Sequence, residues 1–102
     1  MSGRHSHTAC LYKNSIIFFG GESNNKEDFD GRTFLNDIKI FNLDKNEWKI
    51  LNGSGQPITG RKNHAAVVHD KNMFVYGGLD AKRGYLGELW TLNLSKIYFF
   101  EI

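Results

Sequence analysis

A single cysteine, Cys10, deprives this 102-residue chain of any internal disulfide and of a cysteine-based zinc site with ordinary spacing. Charge of one sign is also scarce: 13 Lys and Arg against 11 Asp and Glu leave a formal +2, and the basic residues are scattered. No basic run or basic helix supplies the electrostatic footprint of a nucleic-acid binder. Long apolar runs are missing too, with none approaching the ~20 residues of a membrane-spanning helix. The opening Met1-Ser2-Gly3-Arg4-His5-Ser6-His7 is polar and lacks an apolar stretch, so a signal peptide is not expected. These absences argue against nucleic acid and membrane as partners and for a cytoplasmic or nuclear setting. Without a secretory signal, the glycosylation triplets Asn52-Gly53-Ser54 and Asn93-Leu94-Ser95 are read as chance matches.

What the chain does contain is an internal duplication. Gly3-Arg4-His5-Ser6-His7-Thr8-Ala9 recurs as Gly60-Arg61-Lys62-Asn63-His64-Ala65-Ala66, and each copy runs through an apolar stretch into a Gly-Gly pair, Gly20-Gly21 and Gly77-Gly78. The register holds at 57 residues (61 − 4, 64 − 7, 77 − 20). From Leu35 and Leu86 onward the offset is 51 (86 − 35), because the first copy carries the longer polar loop. A repeat of about 50 residues with strand character points to stacked β units.

Each copy reads as four strands. In the first, His7–Tyr12 and Ser15–Phe19 flank a turn at Lys13-Asn14, where Asn tolerates the left-handed conformation of tight hairpins. Asp37–Asn42 alternates polar and apolar, Asp44-Lys45-Asn46 turns, and Glu47–Leu51 closes the unit. The second copy supplies His64–His69, Asn72–Tyr76, Glu88–Asn93 and Ile97–Ile102, and Phe99 aligns with Trp48. No segment carries a helical period. The expected fold is all-β: two four-stranded antiparallel blades, residues 1–51 and 52–102, of one incomplete propeller.

These residues resemble the kelch motif. That motif places an Arg and a His before the first strand, Gly-Gly after the second, an acid at the head of the third and a Trp in the fourth. Here these are Arg4, His7, Gly20, Gly21, Asp37 and Trp48, then Arg61, His64, Gly77, Gly78 and Glu88. Gly53-Ser54-Gly55-Gln56-Pro57, with the only proline, looks like the linker between such repeats. One departure is Phe99, which stands where the motif has Trp. The other is blade number, since propellers have ~4–8 blades and two cannot close a ring. The resemblance implies a protein-interaction module, not an enzyme, needing no cofactor. Its alternatives are a regulatory or substrate-binding piece of a larger enzyme (phosphatase, ubiquitin-ligase adaptor or galactose-oxidase-like) and a truncated product without independent function.

Physical reasons exist for each signature residue. Paired glycines suit a crowded strand exit. Trp48 offers an apolar face to the seam between blades and an indole N–H that needs a partner. Arg4 and Arg61 can satisfy carbonyls or a carboxylate with one forked group. Because each recurs, all are read as architectural. His5-x-His7 and His69 do not assemble the three or four converging ligands of a metal site. Glu27-Asp28-Phe29-Asp30-Gly31 lacks the spacing of a calcium loop, and Gly55–Gly60 lacks the Lys and Ser/Thr of a phosphate loop. Cys10 is a small core residue with nothing nearby to activate it.

Up-and-down strand order collects the second-to-third and fourth-to-first connections at one end. Recognition residues are usually carried by such loops. The candidate partner-binding residues there are Glu22, Asn25, Lys26, Asp28, Phe29 and Arg32 in the first copy and Asp80, Lys82, Arg83 and Tyr85 in the second. The expected partners are a protein or peptide at this end and further blades, in cis or in trans, on the sheet faces. An open pair leaves two outer faces bare, which invites association. The chain stops on a strand at Ile102, as a cut or prematurely ended chain would. A fragment of a longer propeller, a self-assembling unit and a truncated product all remain open.

Overall fold

Dense β-branched and aromatic runs, bounded by turn residues, form the strands. The computed structural model describes residues 3–23, 33–51 and 54–102, with only the backbone of Thr33. In chain order the strands are β1 (Arg4–His5), β2 (Thr8–Tyr12), β3 (Ser15–Phe19), β4 (Glu22–Ser23), β5 (Thr33–Phe34), β6 (Ile38–Asn42) and β7 (Glu47–Leu51). They continue as β8 (Ser54–Gly55), β9 (Ala65–His69), β10 (Asn72–Tyr76), β11 (Leu79–Asp80), β12 (Gly84–Tyr85), β13 (Leu89–Asn93) and β14 (Tyr98–Glu101). Among the described residues there is no helix, and none long and apolar enough to cross a membrane.

Two main sheets are built alike. The first has the order β2-β3-β6-β7, all antiparallel, with Cys10 opposite Ile17 and Ile17 opposite Ile40. In the second, β9, β10, β13 and β14 repeat that order, with Val67 opposite Phe74 and Phe74 opposite Thr91. A fifth strand, β8, joins β14 in parallel, a feature with no sequence signal beyond the Gly-Ser composition of the linker. Smaller ladders sit beside each sheet. In the first copy His5 pairs with Glu22, and in the second the equivalent Lys62 pairs with Leu79.

Strands begin one residue inside the expected bounds at β2, β6, β9 and β13, and β14 is one residue shorter than expected at each end, without Ile97 and Ile102. At the first four the excluded residues are His7, Asp37, His64 and Glu88. At the Lys13-Asn14 turn the left-handed residue is Lys13, with φ +53°, and its counterpart Asp70 has the same angle. Asn14 instead donates its side-chain amide to Asp44 at 2.6 Å. At the β6–β7 turn Asn42 Oδ1 accepts from the amides of Asp44 and Lys45, and Asn93 Oδ1 does the same for Ser95 and Lys96. The second glycosylation triplet is thus part of a repeated side-chain-capped turn.

One face of each sheet packs against the other. Ile17, Phe19 and Ile38 from the first meet Met73, Val75, Trp90, Leu92 and Phe99 from the second in a single buried cluster. The Phe19 and Phe99 rings lie 5.5 Å apart across this seam. Fully burying side chains of this size contributes roughly 1.5–3 kcal/mol each. Trp48 is therefore not the aromatic of the seam formed here. It is 46% exposed on the opposite face of the first sheet, stacked on Phe18 and Phe41, whereas Phe99 is 2% exposed.

Candidate functional site

At the loop end the signature arginines and acids meet as ion pairs. Arg4 binds Asp37 through both guanidinium branches, at 2.7 and 2.9 Å, and also donates to the Gly20 carbonyl at 3.2 Å. In the second sheet Arg61, fully buried, donates to Glu88 at 3.0 Å and to the Thr59 carbonyl and hydroxyl. Glu88 also accepts from the Trp90 indole at 2.9 Å and from Arg83 at 3.0 and 3.1 Å. Sequence reading found the arginines and acids but missed Thr59 and Trp90. Trp90 lies two residues after Glu88 along the chain, a spacing that keeps both on one side of an extended strand.

These contacts fix the charges. The Arg83 hydrogen bonds, followed by those of Trp90 and Arg61, hold the Glu88 carboxyl at about 2 despite partial burial. Burial alone raises the Asp37 carboxyl, but the Arg4 hydrogen bonds and charge outweigh it, and the net shift is downward. Asp80 is buried, and the Thr59 hydroxyl at 2.5 Å with the backbone amides of Lys82 and Arg83 holds its carboxyl well below the usual carboxylate range. Burial pushes the Cys10 thiol up.

The sequence-nominated partner-binding residues therefore fall into separate places. Glu22 is buried and accepts from Lys62 at 2.8 Å, with His5 Nε2 at 3.5 Å, so its carboxylate ties the second copy to the first. Asp80 caps its own loop. Arg83 is half-exposed but held by Glu88 and Asp80. Lys82 is exposed, and Tyr85 is 91% exposed. Asn25, Lys26, Asp28, Phe29 and Arg32 lie outside the described residues, as does the acidic stretch Glu27–Gly31. His7 packs on Phe18 at 5.9 Å while His5 faces Glu22, so the two rings of His5-x-His7 serve different neighbours.

Where the loops of the two copies meet the linker, they leave an open groove of about 440 Å³. It is lined by Phe34 and Asn36 of the first copy, by Pro57 to Gly60 of the linker as its floor, and by Asp80, Ala81 and Lys82 of the second copy. The Asn36 amide donates to the Ile58 carbonyl at 3.1 Å, which pins the floor to the first sheet. Gly60 lies so close to the Phe34 carbonyl that a Cβ there would overlap it.

The whole arrangement of duplicated sheets, Arg–acid pairs and glycine exits coincides with a match to the KLHDC2/KLHL20/DRC7 Kelch-repeats domain model over residues 1–99. The chain belongs to the kelch-repeat family. Its sheets are kelch blades of an incomplete propeller. The chain is 34% identical to "Host cell factor homolog hcf-1" of Caenorhabditis elegans and 32% identical to "Host cell factor 2" of Homo sapiens. These matches cover 96% and 90% of the chain and 13% of each relative. It is also 30% identical to the "Leucine-zipper-like transcriptional regulator 1 homolog" of Drosophila melanogaster, over 90% of the chain and 9% of that protein. The chain thus spans a small part of the curated relatives it matches. Kelch-repeat domains are generally protein-interaction modules.

Proposed function

We propose that this chain is a non-catalytic protein-interaction module whose loop-end groove takes an extended segment of a partner protein. Residues 1–51 and 52–102 are then two repeats of one propeller, and further blades, in cis or in trans, cover the bare faces. The observation carrying this reading is the groove itself. Its walls come from both blades and its floor is held by the Asn36–Ile58 hydrogen bond, so it is preformed on a rigid scaffold. Around it Asp37 is held by Arg4, Glu88 by Arg61, and Asp80 by the Thr59 hydroxyl and the backbone amides of Lys82 and Arg83. Among the described residues the groove is left with shape, exposed backbone and the outward charge of Lys82, which suits recognition. A displayed peptide library selected on the chain tests this. Binders that weaken at least tenfold when Lys82→Glu and Asn36→Ala are combined support the groove. Binders indifferent to that pair would place recognition elsewhere.

A further inference from the structure

A pocket of about 280 Å³ on the second blade lies between Asn63, Ala65, Tyr76, the Gly77-Gly78 pair, Tyr85 and Leu86. By the offsets of the repeat, each of these residues has a counterpart on the first blade: Ser6, Thr8, Phe19, Gly20-Gly21, Phe34 and Leu35. On the first blade those counterparts are covered by the segment Gly60–His64. The Asn63 amide donates to the Ser6 carbonyl at 3.0 Å, the Gly21 amide to the Arg61 carbonyl at 2.8 Å, and the Arg61 amide to the Leu35 carbonyl at 3.2 Å. His64 packs edge-on to Phe19 at 5.3 Å and bonds Thr8 at 2.9 Å, while Lys62 sits over the Phe34 ring at 5.1 Å.

The second-blade pocket has the same backbone shape and, among the described residues, no such segment. Gly77 and Gly78 have φ +70° and +102°, against +72° and +95° at Gly20 and Gly21. A Cβ on Gly20 would strike His64 and the Arg61 carbonyl, whereas one on Gly77 would meet only the Leu86 carbonyl, at 3.4 Å. Tyr85 is 91% exposed where Phe34 is half-buried.

The sheet faces tell the same story. Val67, Phe74 and Tyr76 continue the pocket onto the bare face of the second blade, at positions where the first blade offers Cys10, Ile17 and Phe19 to the seam. The opposite bare face, on the first blade, carries Leu11, Phe41 and Trp48 at the positions of Val68, Leu92 and Phe99, which pack into that seam. One bare face thus has the pattern of the donor side of the internal seam, and the other has that of the acceptor side.

We infer that this pocket is a socket for the Gly3–His7 segment of a second copy of the chain, whose first blade then lies on the bare face of the second blade. The contact is head-to-tail, and it propagates to a ring or an open chain according to its rotation. His7 of the incoming copy occupies the His64 position and stacks on Tyr76, and its Arg4 carbonyl faces the Gly78 amide. Two polar links of the internal seam are absent: Ala65 replaces Thr8, and Leu79 replaces Glu22. The contact between copies is therefore the more apolar and weaker of the two. The inference rests on the reading that the bare faces take further blades.

Sedimentation of the 102-residue chain across a dilution series, with two exposed-site variants, tests it. Ala65→Arg fills the socket, and Leu11→Glu spoils the opposite face. The parent is expected to assemble, each variant alone to run as a folded monomer by circular dichroism, and the two mixed to form a 1:1 dimer. The mixture works because each variant keeps the surface the other has lost. A parent that assembles regardless of Ala65→Arg overturns the socket but leaves the covered-face reading standing. A mixture that stays monomeric overturns the head-to-tail arrangement. A parent that remains a folded monomer at every dilution overturns the contact between copies and leaves only blades in cis to cover the bare faces.

Discussion

His64 Nε2 lies 2.9 Å from Thr8 Oγ1, across the seam between the two blades, and the Thr8 hydroxyl reaches the Phe19 carbonyl at 3.4 Å. The network assigns the neutral Nε2–H tautomer, with Nδ1 buried and unpartnered. Burial, then the nearby charges of Arg61 and His7, depress the imidazole to about 4, while the Phe19 carbonyl offsets part of this.

A pH-dependent stability follows from that depression. The folded chain holds fewer protons at His64 than the unfolded chain does. The contribution is complete above the ordinary value of 6.5 and is lost as pH falls from there toward about 4. Denaturant midpoints measured from pH 8 to 4 should decline over this window, and His64→Gln should flatten the decline. Glu88 acts in a lower window, between its ordinary 4.5 and about 2, so the two are separable. A midpoint unchanged down to pH 4 in the parent would contradict a buried neutral His64.

Equivalent glycines should not be equally sensitive. Gly20→Ala places a Cβ 2.6 Å from the His64 ring and 2.8 Å from the Arg61 carbonyl, on top of the left-handed backbone cost. Gly77→Ala carries the backbone cost of roughly 1–2 kcal/mol but no such clash in the single chain. Urea unfolding should show Gly20→Ala to be the more damaging by about 2 kcal/mol or more. Equal losses would mean the seam yields at Gly20.

Glu88→Ala removes the shared acceptor of Arg61, Arg83 and Trp90. It leaves a fully buried guanidinium without its carboxylate, at a cost of about 3–5 kcal/mol. Replacing Arg61 by Met and Glu88 by Leu together should recover part of that loss, since no uncompensated charge remains. A double-mutant cycle by thermal or urea unfolding reads the coupling, and simple additivity would refute the pairing.

Tyr85 and Phe34 occupy one repeat position in two settings. Tyr85→Ala should change unfolding free energy by less than about 0.5 kcal/mol in the unassembled chain. Phe34→Ala removes the ring under Lys62 and beside the seam and should cost roughly 1–3 kcal/mol. Comparable effects at the two sites would contradict the difference in covering.

Much of the strand plan was legible because strand signals are local. Ser15–Phe19 and Asn72–Tyr76 match β3 and β10 in full, and the outer-strand turns fall where Asp44 to Asn46 placed them. At Lys13 the expectation missed by one turn position: Lys13 takes the left-handed angle, as its repeat counterpart Asp70 does, while Asn14 bonds Asp44, 30 residues along the chain. The candidate site was less legible. Glu22 and Asp80 look like solvated loop carboxylates in the sequence. Only the fold brings Lys62 and Thr59, each distant along the chain, to bury them.

The amino-acid order by itself determined the duplication, the alternation that makes each copy a sheet, and the presence of an arginine and an acid at matching positions in both, since these depend on spacing and residue type. Which face of each sheet is covered, and hence that Phe99 is buried while Trp48 stands half in solvent, was decided by the tertiary structure. Both aromatics sit at one repeat position. Burial depends on what lies opposite, and only the packed pair of blades supplies a neighbour to one and not to the other.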